Sequence, residues 1–274
     1  MTDGWFTRIS WLRMLGKIEP DLAQIQRGLD ANQVDSLAAV IPFHSHFDHA
    51  MDAPEVAMRT GALLIGSEST ANIGRGWGLP ESSIRILQDR QPFELGKFVV
   101  TPIQVRHFAF PGVDMSLVEE TIDTPLVPPV FMPEYKEGGS WALHVTHPKG
   151  SWLIIGSAGY VEGAFKGLEA DTVFLGVGGL GGQTAEYRDT YWRESVEQVN
   201  ARRVIPIHWD SLTGSLYEPY TGQALFFQYL AARDFGSQGA STLKAFLRSK
   251  EASKENISGV ELLTLPRFDP VVLW

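Results

Sequence analysis

His44, His46, Asp48 and His49 fall within six positions of one stretch, Phe43-His44-Ser45-His46-Phe47-Asp48-His49-Ala50, directly after the apolar run Leu37-Ala38-Ala39-Val40-Ile41. Four side chains with lone pairs on so short a segment of a folded chain call for a cation or solvent to take up their polarity. The chain has no cysteine, so thiolate is not among the ligands, and imidazole with carboxylate suits Zn²⁺, Fe²⁺ or Mn²⁺. His44 and His46 are two apart, so on an extended exit from a strand both rings project to one side and can grip one ion. Asp48 and His49 follow a turn and point toward a neighbouring position for a second ion. A loop of solvated histidines would have the same composition but not this placement.

The apolar run before the motif reads as a buried strand, and Asp52-Ala53-Pro54-Glu55 after it reads as an N-cap, a first-turn proline and a carboxylate at the reciprocal capping position. The motif therefore lies between a strand and a helix start, where α/β proteins build sites. Downstream, Pro54 to Thr60 reads as helix, Ala62 to Gly66 as a short buried strand, and Ser67 to Gly78 as a helix ending in glycines. Phe98 to Arg106 reads as a strand whose Pro102 suggests an edge or bulge. Ser140 to Thr146 and Ser151 to Ile155 read as a hairpin, Thr172 to Gly176 and Arg203 to Ile207 as buried strands, and Glu186 to Asn200 as a helix with Tyr187, Tyr191, Val196 and Val199 facing the core. Gly222 to Trp274 reads as two helices, at Gln223–Arg233 and Thr242–Lys250, and a strand at Val260–Leu265.

His44-Ser45-His46-Phe47-Asp48-His49 resembles the signature of the metallo-β-lactamase superfamily, and the likeness runs from about Ile41 to Leu216. The nearest subgroup is similar to ascorbate-6-phosphate lactonase and to the phospholipase D that releases N-acylethanolamines. The resemblance implies an α/β fold, the αββα sandwich, and hydrolysis of an ester, lactone, lactam, thioester or phosphodiester with one or two metal ions. On their own, strand-end histidines such as His107 read as structural. The resemblance makes His107 the third ligand of the first ion, beside His44 and His46, and makes His208 a ligand of the second ion with Asp48 and His49. It also implies a water between two divalent ions, zinc first and Mn²⁺ or Fe²⁺ next, with Asp48 as the catalytic orienter and proton shuttle.

Two departures accompany the likeness. Only 43 residues precede His44, mostly the amphipathic helix from Asp21 to near Asn32 and aromatic loop, so the usual first strands are expected to be missing and one sheet to have an unusual edge, to be covered or paired in a homo-oligomer. Where most superfamily members carry an aspartate that bridges the ions, this chain has Ser157, left to bind water. One subclass of metallo-β-lactamases shares that serine and still holds two zinc ions. Asp210 is a candidate to orient His208, since ligating histidines usually donate their other N–H to an oxygen, or else a helix cap. His144 and His147 read as structural, and the glycines from Gly178 to Gly182 as tight backbone near the site, since they lack the lysine ending of a phosphate loop.

With 274 residues, 44% of them hydrophobic, the chain is expected to form a single domain over residues 1–274, with a long proline- and aromatic-rich loop at 108–139. Such a loop reads as a lid that walls a substrate site. The net charge of −9 argues against nucleic acid as the main partner and leaves a small-molecule substrate. No apolar run is long enough for a membrane span, and Met1 to Pro20 lacks the pattern of a secretory signal. Together with the absence of cysteine, this fits a cytoplasmic protein. An ester or lactone hydrolase is the leading expectation; a phosphodiesterase on a lipid-like substrate and a non-catalytic metal-binding or vestigial domain are the alternatives.

Overall fold

The computed structural model describes residues 1–10, 12–108, 120–210, 212–214, 216–217, 244–245, 248, 259–263, 265, 268–269 and 271. Its helices are α1 (Leu22–Ala31), α2 (Phe47–Ala50), α3 (Ala53–Thr60), α4 (Glu68–Trp77) and α5 (Ala185–Trp192). Its strands are β1 (Lys17–Ile18), β2 (Ala39–Val40), β3 (Leu63–Gly66), β4 (Ile84–Ile86), β5 (Phe93–Leu95), β6 (Phe98–Val105), β7 (Val130–Phe131), β8 (Ser140–His147), β9 (Gly150–Ile155), β10 (Thr172–Gly176), β11 (Arg203–Ile207) and β12 (Glu261–Leu262). β2, β3 and β4 form a parallel three-stranded sheet. A mixed seven-stranded sheet runs β12-β11-β10-β9-β8-β6-β5, parallel from β9 to β12 and antiparallel among the rest.

Strand alternation sorts the side chains into layers, because successive residues face opposite sides of a sheet. Ala39 and Ile65 of the small sheet pack with Ile41, Phe43 and with Val100, Trp141 and Leu143 of the large one. Val40 and Leu64, on the other face of the small sheet, meet Ile25 and Leu29 of α1 and Val56 of α3. Ile103, Leu153, Ile155 and Val173, on the far face of the large sheet, meet Tyr191 and Trp192 of α5. The order is helix, sheet, sheet, helix: the αββα sandwich, an α/β fold.

The edge beside β2 is lined by the chain's own first residues. Met1 N donates to Ala39 O at 2.9 Å, Ile41 N to Met1 O at 2.9 Å, and Asp3 N to Ile41 O at 3.2 Å. Of the two expected outcomes for this edge, cover or pairing with another chain, cover along β2 is supplied by the chain's own first residues.

Three details differ from expectation. Asp52 precedes α3 but does not cap it; its carboxylate accepts instead from Phe6 N (2.8 Å), Thr7 N (2.6 Å) and Thr7 Oγ1 (2.8 Å). Glu55 is drawn away from the capping position by Arg59 Nε at 2.6 Å and Trp77 Nε1 at 2.9 Å. The helix after β10 ends early, passing from α5 into a π-helical turn at Arg193–Glu197 that still buries Val196.

The third concerns the long loop. Its described second half lies against α4 and β1: Ile122 N donates to Ser69 Oγ at 2.9 Å, Asn72 Nδ2 to Ile122 O at 2.6 Å, and β7 pairs antiparallel with β1. Ile122, Val130 and Tyr135 pack with Ala50, Met51 and Ile73, so this half braces α2 from behind. Residues 109–119 of the loop expected as a lid lie outside the described residues, as do the helix expected at 223–233 and most of the one at 242–250. Among the described residues no helix is long and apolar enough to cross a membrane.

Candidate metal centre

The motif leaves β2 in extended backbone and then turns into α2, with His46 at φ −59°, ψ 154° just before the helix. Phe43 anchors the exit: its carbonyl accepts from Trp141 N of β8 at 2.8 Å, and its ring fills the space over Gly156, where a Cβ would come within 2.3 Å of Phe43 Cδ2. His44 and His46 therefore project from the strand exit, and Asp48 and His49 from the single turn of α2. His107 follows β6 and His208 follows β11, each delivered by a strand end.

These elements bring together the six side chains expected as ligands, in two groups. Ligand atoms of His44, His46 and His107 lie within 4.8 Å of one another, as do those of Asp48, His49 and His208. The groups adjoin, with the His44 and His49 ring centroids 3.9 Å apart. Asp48 Oδ2 is 3.3 Å from His208 Nε2 and 3.5 Å from His49 Nε2, and the two Nε2 atoms are 3.1 Å apart.

Whether these residues suit a cation can be judged from their unsatisfied atoms. His44 is 1% exposed, yet among the described residues neither of its ring nitrogens has a hydrogen-bond partner. A buried polar atom without a partner costs about 1–3 kcal/mol, a cost that coordination of an ion would relieve. His107 Nδ1 lies 3.1 Å from Phe108 O, which assigns its proton there and places the lone pair on Nε2.

The protonation states agree with this. Burial, then the neighbouring His49 and His46, hold His44 well below the usual histidine range. Burial brings His107 down to about 3 and His46 to about 4, the latter despite the charge of Asp48. The first group is thus three neutral imidazoles at neutral pH, ready to coordinate without losing protons. In the second group burial alone would lower His208, but the hydrogen bond and charge of Asp48, with the charge of Asp210, push it up to about 9. Burial would raise Asp48, but His49 and His208 hold it well below the usual carboxylate range. Without an ion, this group pairs a carboxylate with a charged imidazole, and a divalent ion would take over that charge.

His208 adopts φ +57°, a region a non-glycine side chain enters at a cost and that is often found at functional sites. Gly178 lies beneath its ring; a Cβ there would fall 2.4 Å from His208 Nδ1. The close backbone expected of this glycine run is thus what gives His208 room.

Ser157 is 8% exposed, and its Oγ accepts from Phe108 N at 3.1 Å, so it fixes the turn that carries His107 while keeping its own hydrogen to donate. Asp210 is engaged elsewhere: its carboxylate binds Arg8 Nη2 at 2.7 Å, and it acts on His208 through its charge. His144 sits within β8, with Nε2 2.9 Å from Glu169 O. One residue that sequence reading did not single out is Asp3, whose Oδ2 is 3.1 Å from His49 Nδ1. It lies some forty positions from the motif, and its only local signal, an Asp-Gly pair, marks a turn.

A cavity of about 350 Å³ opens on the second group, lined by Asp48, His49 and His208 together with Trp5, Phe6 and Leu212.

No family model matches the chain, and no curated protein matches it. Solved structures do. One is the isothiocyanate hydrolase from Delia radicum gut bacteria, at 15% identity over 86% of this chain and 76% of that one, with a TM-score of 0.49. Another is the metallo-β-lactamase fold protein YhfI from Bacillus subtilis, at 16% identity over 70% and 72%, with a TM-score of 0.42. A third is zinc-bound PqqB from Methylobacterium extorquens, at 13% identity over 90% and 80%, with a TM-score of 0.44. At such identities these are likenesses of fold.

Proposed function

We propose that this protein is a metal-dependent hydrolase of esters or lactones that uses two divalent ions, zinc in the first instance. The observation that carries the reading is the pair of adjoining ligand groups, one of them with a buried histidine whose ring nitrogens have no partner among the described residues, beside a cavity of about 350 Å³. His44, His46 and His107 would hold the first ion and Asp48, His49 and His208 the second. Ions bound there would supply a water acidified toward neutral pH and a Lewis acid for the scissile carbonyl.

The chain's own groups do the rest. Asp48 stays ionised, so its carboxylate can orient the attacking water and take its proton. His208 Nε2, 3.3 Å from Asp48 Oδ2, holds that carboxylate in the metal-free site, a contact that an ion bound by both would replace. Ser157, held by Phe108 N, has a hydrogen to direct at an oxygen in the site. The aromatic side of the cavity, Trp5 and Phe6, suits the apolar part of a small substrate. The ester or lactone class follows the likeness of the motif to the lactonase subgroup.

The test is a panel of a lactone, a p-nitrophenyl ester and bis-p-nitrophenyl phosphate, assayed with zinc-loaded protein and again after chelation. Turnover of the lactone or ester that vanishes on chelation is the expected result. Turnover of the phosphodiester alone would replace the carbonyl reading by a phosphodiesterase. Bound metal without turnover of any substrate would favour a non-catalytic metal-binding domain.

A further inference from the structure

We propose that Asp3 is a positioning residue of the second metal group: it holds the ring of His49 so that Nε2 faces the ion. The inference rests on the two-ion reading above and adds to it a carboxylate outside the ligand motif.

The geometry is specific. Asp3 Oδ2 lies 3.1 Å from His49 Nδ1, the nitrogen on the far side of the ring from Asp48 and His208. Its other oxygen, Oδ1, accepts from Phe43 N at 3.0 Å, at the residue that opens the motif. One carboxylate thus spans both ends of the ligand segment, Phe43 and His49. Its own backbone is fastened to the strand exit by the bond from Asp3 N to Ile41 O, and it adopts φ +55°, which aspartate and asparagine tolerate better than most residues. His49 is 2% exposed, so Asp3 faces a ring that is almost wholly buried. The contact is one of ion-pair distance, without the alignment of a hydrogen bond in the metal-free site, and a carboxylate so placed favours the tautomer with the proton on Nδ1 and the lone pair on Nε2. In the first group, by contrast, His107 Nδ1 lies 3.1 Å from the Phe108 carbonyl, a neutral partner.

Asp3→Asn keeps the size, the tolerated backbone and an acceptor for Phe43 N, but removes the charge. Zinc titrated against a chromophoric chelator should show the weaker of two sites losing about 10- to 100-fold in affinity, the usual effect of removing an outer partner of a ligating histidine, while the tighter site is unchanged. Thr2→Ala, a neighbour on the same segment, should leave both sites as they are. Two sites of wild-type affinity in Asp3→Asn would overturn the proposal and leave the two-ion reading intact; a wild-type protein with no second site would overturn both. Should Asp3→Asn fail to fold, the tautomer of His49 in metal-free wild-type protein decides by long-range ¹H–¹⁵N correlation: a proton on Nδ1 is expected, and a proton on Nε2 would contradict the proposal.

Discussion

Replacement of Asp48 by asparagine is expected to lower kcat by about 10²-fold or more at saturating metal, in the range shown by groups that move a proton in the transition state. The exchange preserves shape, so the packing of α2 is retained. What it removes is the negative charge that lies 3.3 Å from His208 Nε2 and 3.5 Å from His49 Nε2. In the native protein His49 and His208 keep this carboxylate ionised in a site where burial would protonate it. An amide there has no basicity and offers the second ion a weak ligand. Assaying the variant across a series of zinc concentrations separates the two losses: activity regained with added metal reports lost affinity, and the deficit that persists reports the lost proton acceptor. Full activity in Asp48→Asn at saturating metal would remove Asp48 from the chemistry.

Asp52→Ala is expected to destabilise the fold by about 3–5 kcal/mol, although the residue touches no ligand. Asp52 is fully buried and accepts from Phe6 N, Thr7 N and Thr7 Oγ1, so truncation strands three donors, each costing about 1–3 kcal/mol and partly relieved by relaxation. The same carboxylate should tie stability to pH. Burial pushes it up to about 6 against the pull of Thr7, Phe6 and Arg8. A folded-state value above the unfolded one means that the native state holds the proton more tightly. The associated stability is therefore complete below about pH 4 and lost as pH rises through about 6, in all roughly 2–3 kcal/mol. Asp52→Asn, which keeps a carbonyl for the donors, should remove this part of the pH dependence. The check is urea unfolding of both proteins from pH 4 to 7. A difference between them that stays constant over that range would mean that Asp52 is ionised throughout and that its three donors outweigh its burial.

His44, His46, Asp48 and His49 were readable from the motif and its place between a strand and a helix start, whereas His107 and His208 stand at strand ends, where a histidine alone reads as structural, and only the likeness of the motif made them ligands. The strands themselves were legible, since β6 and the mainly apolar β11 were both expected, and they end just before His107 and His208. What local pattern missed depends on contacts across long separations. Asp52 looks like a cap because an aspartate before a proline-led helix usually is one, but Thr7, 45 positions earlier, offers its carboxylate a better set of donors. Asp210 looks like a partner of His208 until Arg8 reaches it from the other end of the chain. The second half of the long loop lacks periodicity because it is held by side chains of α4, Ser69 and Asn72, and by only a two-residue ladder between β7 and β1. Asp3 carries no periodic signal, and its role exists only once β2 has brought Phe43 alongside it.

The central claim is that two adjoining groups hold two ions although Ser157 stands where a bridging carboxylate is usual. Metal content by plasma mass spectrometry, on protein purified without added metal, tests it directly when wild type is compared with His208→Ala. Two equivalents in the wild type, falling toward one in the variant, is the result expected if Asp48, His49 and His208 form a site of their own. One equivalent or less in the wild type, unchanged in the variant, would contradict the account and reduce the centre to the three histidines His44, His46 and His107.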